Sequence, residues 1–150
     1  MKRAVFPGSF DPVTIGHQDI VNRGLKIFDE IIIGVGENIN KKYMFSNNER
    51  FDFVSKTFEG DTKILIKTYK GLTVDFCKKN NAEFIIRGLR NPADFEFEKS
   101  IALTNRKMTG IETVFFLTSP KNSYISSSIV RDLIKNKGAY KLFIPREISI

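Results

Sequence analysis

A doubly wound α/β domain built on a five-stranded parallel sheet is the fold that this chain predicts, on three observations. Apolar runs of strand length alternate with segments of helical period along 150 residues; several runs are continuously β-branched; and the unusual polar and glycine-bearing segments all follow strands. Runs such as Ile31-Ile32-Ile33 and Phe84-Ile85-Ile86 imply strands buried on both faces, as in a parallel sheet covered by helices.

Taken in order, strands are expected over residues 4–6, 30–35, 63–68, 84–87 and 113–117, and helices over 17–28, 46–58, 72–80, 92–108 and 126–136. Ser46 and Glu49 form a candidate capping box ahead of Arg50-Phe51-Asp52-Phe53, and Ser126 is a hydroxyl cap for the last helix. Residues after Phe143-Ile144-Pro145 leave room for only a short terminal helix. The length suits one core, so residues 1–150 are expected to form a single domain.

Composition narrows the class of protein. Apolar residues make up 41% and charged residues 27%, ordinary for a globular domain and unlike a disordered or fibrous chain. The first residues are basic but lack the apolar stretch of a signal peptide, and no segment approaches a membrane span. A lone cysteine, Cys77, has no internal disulfide partner and sits in the amphipathic run Val74-Asp75-Phe76-Cys77, where a small core side chain is expected. A cytoplasmic location fits this usage. The net charge of +7 suits an acidic ligand without choosing among nucleotide, phosphorylated metabolite, nucleic acid and anionic membrane.

In open α/β sheets ligands bind beyond the carboxyl ends of the strands, where strand order reverses. Four segments fall there: residues 8–17, 37–45, 87–90 and 118–128. The first, Gly8-Ser9-Phe10-Asp11-Pro12-Val13-Thr14-Ile15-Gly16-His17, ends on the only histidine and joins a strand to a helix start, whose unpaired N–H groups attract phosphate. It is neither G-x-G-x-x-G nor G-x-x-x-x-G-K-[ST], which excludes a dinucleotide fingerprint and a P-loop. On residue type alone His17 is a helix cap or a catalytic donor, Thr14 is turn chemistry or part of the site, and Arg87-Gly88-Leu89-Arg90 is a strand-end turn or an anion contact. No nucleophile and base pair stands out, and no His, Cys and acid cluster has metal-ligand spacing.

Gly-Ser-Phe-Asp-Pro followed by Thr-x-Gly-His resembles the first motif of the nucleotidylyltransferase superfamily, in the form carried by the phosphopantetheine adenylyltransferases. Lys41-Lys42-Tyr43-Met44-Phe45, Ile86-Arg87-Gly88-Leu89-Arg90, residues 93–98, Asn105-Arg106 and Tyr124-Ile125-Ser126-Ser127-Ser128 agree with it in order and spacing, so the likeness runs from residue 2 to about 145. Thr14 stands where the wider superfamily commonly has histidine, which narrows the likeness to this family, and Ser9 stands where threonine is common.

The resemblance implies a Rossmann-like nucleotidylyltransferase fold and reversible transfer of the adenylyl group of ATP to 4'-phosphopantetheine, yielding dephospho-coenzyme A and pyrophosphate. It implies catalytic roles for His17, Lys41 and Arg90. ATP contacts fall to Ser9, Phe10, His17, Gly88, Leu89, Arg90, Glu98, Asn122, Ser123, Tyr124, Ile125, Ser126, Ser127 and Ser128, and acceptor contacts to Ser9, Lys41, Thr73 and Arg87. Mg2+ is expected to bind through ATP phosphates rather than protein ligands. A homohexamer is also implied. Asp94 and Glu96 read as surface or interface charges, and Glu98 is otherwise an exposed helix carboxylate. Two other functions compete: a sister nucleotidylyltransferase using nicotinate mononucleotide or a small phosphate acceptor, and a nucleic-acid-binding domain, which the lack of clustered basic and aromatic residues disfavours. Neither nucleic acid nor membrane is the expected partner.

Overall fold

The computed structural model describes residues 1–150. Five parallel strands, β1 (Arg3–Gly8), β2 (Glu30–Glu37), β3 (Ile64–Lys70), β4 (Phe84–Leu89) and β5 (Glu112–Leu117), form one sheet in the order β3-β2-β1-β4-β5. The helices between and after them are α1 (Ile15–Gly24), α2 (Asn47–Thr57), α3 (Thr73–Lys79), α4 (Pro92–Thr109) and α5 (Ser127–Lys135). Strand order reverses between β1 and β4, so a crevice opens at their carboxyl ends.

The β-branched runs are buried on both faces because alternate side chains serve two cores. Ala4, Phe6, Ile31, Ile33, Val35 and Ile86 pack with residues of α1, α2 and α5, whereas Val5, Ile32 and Ile85 pack with Val74, Phe76 and Cys77 of α3. Cys77 is fully buried, and its burial pushes the thiol up to about 12, so it is a protonated core side chain. No helix is long and apolar enough to cross a membrane.

Differences from the expected boundaries have local causes. Helix α1 begins at Ile15 instead of residue 17 because Thr14 caps it. It ends at Gly24 instead of residue 28, where the Lys26 and Ile27 N–H groups turn back to the carbonyls three residues earlier, of Arg23 and Gly24. Strand β4 runs on through Gly88 and Leu89, which pair with Phe116 and Leu117 of β5, so Arg87, Gly88 and Leu89 lie within the strand and Arg90 alone follows it. The Ser46 and Glu49 capping box and the Ser126 cap form as expected. The tail carries a short 3-10 turn, Tyr140–Leu142, then buries Ile144 and Ile148 in the larger core, and the Phe143 carbonyl accepts the Ile15 N–H at the entrance to α1.

Gly34 lies beneath the aromatic pair Tyr69 and Phe76, whose rings stack at 4.5 Å, and an added Cβ would come within 2.8 Å of Phe76. Gly34→Ala is therefore expected to cost about 1–3 kcal/mol through forced repacking, measured by denaturant unfolding at unchanged m-value.

Candidate active site

Between β1 and α1 the chain folds over the crevice, and its geometry begins with a helix cap. The Thr14 hydroxyl accepts the His17 N–H at 3.3 Å, while the Thr14 N–H donates to His17 Nδ1 at 3.0 Å. This is a capping box in which an imidazole takes the place usually held by Glu or Gln. Since Nδ1 accepts that bond, the ring proton resides on Nε2 and remains available to the cleft that His17 lines. Burial, then the positive charges of Arg87 and Arg90, push His17 down to about 4, so it is neutral near pH 7.

Phe10 supports this ring from below. It has a φ of 51°, is 3% exposed, and meets His17 edge-on at 5.0 Å and Phe6 at 5.6 Å. A Cβ on Gly8 would come within 3.0 Å of the Phe10 ring, which is why this turn needs glycine at its start.

The crevice has two lobes. One, of about 470 Å³, is lined by His17, Gly88, Arg90, Glu98, Asn122, Ile125 and Ser126 to Ser128. The other, of about 400 Å³, is lined by Tyr69, Thr73, Ile101, Ala102 and Asn105. Both volumes suit small ligands. Pro7, Gly8, Ser9, Lys41, Arg87, Phe97 and Glu98 line both lobes and so stand at their junction. Three residues singled out in the sequence lie elsewhere. Leu89 is buried in β4 outside the lining, Ser123 donates to the Pro120 carbonyl at 2.9 Å, and exposed Tyr124 packs edge-on to Phe143.

Positive charge converges on the junction, and the side chains there are already engaged. Lys41 Nζ donates to Ser9 Oγ at 2.9 Å, although the two residues are 32 positions apart. Arg87 grips Glu98 through two hydrogen bonds, at 3.0 and 2.6 Å, and donates to the Pro7 carbonyl at 2.8 Å. Glu98 is therefore not an exposed helix carboxylate: it is the buried residue of α4. Arg90 follows at the strand end, where the Asp94 carboxylate accepts its backbone N–H at 3.0 Å and its Nε at 3.2 Å. Asp94 is thus a wall residue of the first lobe, while Glu96 stays exposed and pairs with Lys99. In the second lobe Thr73 and Tyr69 share a hydrogen bond of 2.9 Å. Among the three serines, Ser126 caps α5, Ser127 donates to the Pro12 carbonyl at 2.9 Å, and the Ser128 hydroxyl accepts from Arg131 at 3.1 Å.

Three structural participants escaped the sequence reading. Arg131 donates to the Asp11 carbonyl at 2.9 Å and lines the first lobe; its position one helical turn after Ser127 and Ser128 was the available signal. The buried Asp11 carboxylate accepts the N–H groups of Met44 and Phe45, both at 2.9 Å, and so anchors the loop bearing Lys41. Arg50, 1% exposed, donates to the carbonyls of Ser9 at 2.7 Å and Gly36 at 2.9 Å; nothing in its amphipathic surroundings marks it.

Comparison with known proteins agrees with this architecture. Residues 5–133 match the cytidylyltransferase-like family. The chain is similar to the phosphopantetheine adenylyltransferase of Flavobacterium johnsoniae, 56% identical over 150 residues that make up all of this chain and 99% of that protein. It is 45% identical over 149 residues to the phosphopantetheine adenylyltransferase of Clostridium perfringens, covering 99% of this chain and 91% of that one. Among solved structures, a bifunctional NMN adenylyltransferase/ADP ribose pyrophosphatase from Francisella tularensis superimposes with a TM-score of 0.76 at 15% identity over 98% of this chain. The chain spans 46% of that longer protein, and the likeness is one of fold. With its strand order, its two-lobed crevice and full-length relatives of this identity, the chain belongs to the cytidylyltransferase-like family and, within it, to the phosphopantetheine adenylyltransferases.

Proposed function

We propose that the chain catalyses reversible transfer of the adenylyl group of ATP to 4'-phosphopantetheine, the penultimate step of coenzyme A biosynthesis, by direct in-line attack without a covalent enzyme intermediate. The observation that carries this reading is the shared wall: Ser9, Lys41 and Arg87 line both lobes, as two bound phosphate groups meeting there require. ATP fits the lobe of His17, Gly88, Arg90 and the serine-capped helix, and the acceptor fits the lobe of Thr73 and Tyr69.

The acceptor phosphate is mostly dianionic near neutral pH, since its second pKa is about 6, and it needs no protein base. Its oxygen forms a bond to the α-phosphorus as the bond to the bridging oxygen of pyrophosphate breaks. What remains for the protein is alignment and stabilisation of charge on the phosphoryl oxygens. His17 donates from Nε2 to an α-phosphate oxygen as a neutral imidazole, so near pH 7 it acts as a hydrogen-bond donor and not as an acid. Lys41 attracts the acceptor phosphate at the junction. Arg90 acts on the ATP phosphates, and Arg87, locked to Glu98, fixes the wall facing the acceptor.

Mg2+ would be held mainly through the phosphate oxygens of ATP, where it would supply positive charge, since this ion keeps several waters and uses few protein ligands. A homohexamer and a cytoplasmic location complete the proposal. In the single chain α4 leaves Phe97, Leu103 and Met108 at least 49% exposed, area that self-association would cover. Sedimentation should give six times the 17.2 kDa chain mass, and a monomer would overturn the hexamer.

The reaction is tested by incubating the protein with ATP, Mg2+ and either 4'-phosphopantetheine or nicotinate mononucleotide. Pyrophosphate and dephospho-coenzyme A are expected from the first alone; turnover of only the second would assign the chain to the sister reaction. His17→Gln keeps a side-chain acceptor for the cap but removes the imidazole. It is expected to lower kcat by roughly 10²–10³, about 3–4 kcal/mol of barrier.

The same variant separates structure from charge. With a folded pKa near 4 against an ordinary value of 6.5, the unfolded histidine takes up its proton first, so this residue withdraws stability as pH falls through that window. Unfolding curves between pH 7 and pH 4 should show a smaller acid loss in His17→Gln than in the parent.

A further inference from the structure

Arg50 is the chain's largest fully buried side chain, and its charge has no carboxylate partner. Its Nε has no hydrogen-bond partner either. An apolar side chain of similar volume would join α2 to the sheet without the cost of desolvating a guanidinium, so packing alone does not account for it. Its contacts instead lead to the junction of the two lobes.

Its Nη1 donates to the Ser9 carbonyl and to the Gly36 carbonyl, tying the first loop to the end of β2. The guanidinium also lies 3.9 Å from the Tyr43 ring centroid. The Tyr43 hydroxyl accepts the Asn38 N–H at 2.9 Å, and the Asn38 carbonyl accepts the Lys41 N–H at 3.0 Å, which closes the turn that carries Lys41. Lys41 Nζ lies 5.6 Å from the same ring and donates to Ser9 Oγ at 2.9 Å. Arg50 therefore holds both ends of the Ser9–Lys41 hydrogen bond: Ser9 directly, and Lys41 through Tyr43.

We propose that Arg50 and Tyr43 are positioning residues that set Lys41 at the junction of the two lobes. The inference rests on the role assigned to Lys41 above. Lys41 is exposed and lies in a segment without regular structure, so the ring and the tyrosine-bonded turn limit where its ammonium can reach. Displacement of such a group by about 1 Å costs on the order of a hundredfold in rate.

The test is a double-mutant cycle on the full chain with ATP and 4'-phosphopantetheine, using Tyr43→Leu, Arg50→Lys and Lys41→Met singly, and each of the first two combined with the third. Tyr43 is only half-buried, so Tyr43→Leu keeps the test valid if Arg50→Lys fails to fold. Each of Tyr43→Leu and Arg50→Lys is expected to lower kcat about tenfold to a hundredfold and to raise KM for the acceptor, with KM for ATP moving less than about twofold. In the Lys41→Met background each should cost less than about twofold more, because the group they position is gone. Lowered melting temperature with unchanged kcat and KM, or equal losses in both backgrounds, would reduce the pair to a structural role while leaving Lys41 in place. Full activity of Lys41→Met would overturn the role of Lys41 itself and the inference with it.

Discussion

The backbone of one loop governs the rest of the site. At the end of β1 and in the loop before α1, the carbonyls of Pro7, Ser9, Asp11 and Pro12 are held by side chains from other elements. Arg87 of β4 donates to Pro7, Arg50 of α2 to Ser9, Arg131 of α5 to Asp11 and Ser127 of α5 to Pro12, all between 2.7 and 2.9 Å. A buried carbonyl without a partner is costly, so this bracing stabilises the turn, including its positive φ at Phe10. It also brings two guanidinium groups, those of Arg87 and Arg131, to the edge of the crevice, where anions are attracted. Fold stability and anion affinity thus share the same hydrogen bonds.

A consequence is that the side chains of the crevice hold one another in place. Lys41 already touches Ser9, Arg87 is locked on Glu98, and the Thr14 N–H has fixed the tautomer of His17. Preorganised donors need little rearrangement as charge develops in a transition state, the condition under which they are most effective. Neutral His17 fits this arrangement. Beside Arg87 and Arg90 a second cationic ring would add repulsion, whereas an N–H dipole adds a directed donor without it.

The sheet, the helix caps and the crevice edge were legible in the sequence because each depends on neighbours a few positions away. Ile31-Ile32-Ile33 signals two-sided burial, Ser46 with Glu49 signals a helix start, and the glycine turn ending on His17 signals a phosphate-binding edge. Family likeness pointed to Lys41, Arg87 and the serine cap, and these residues line the crevice. What stayed hidden depends on contacts across the chain. Arg50 reads as one more charge on an amphipathic helix until its partner 41 positions earlier is known, and Arg131 meets a carbonyl 120 positions away. Glu98 shows as an acid on a helix until Arg87 is placed against it. Gly88 read as a turn because its strand pairing with Phe116 cannot be seen from local pattern.

His17 is the only histidine, so a single imidazole appears in the nitrogen NMR spectrum of the labelled protein. That spectrum, followed through a pH titration with and without ATP, is the most direct measurement of the account. A neutral ring protonated on Nε2 at pH 7, with a midpoint near 4 and a shifted Nε2–H on ATP addition, is the predicted result. A ring that titrates near its ordinary value of about 6.5 and ignores ATP would contradict it.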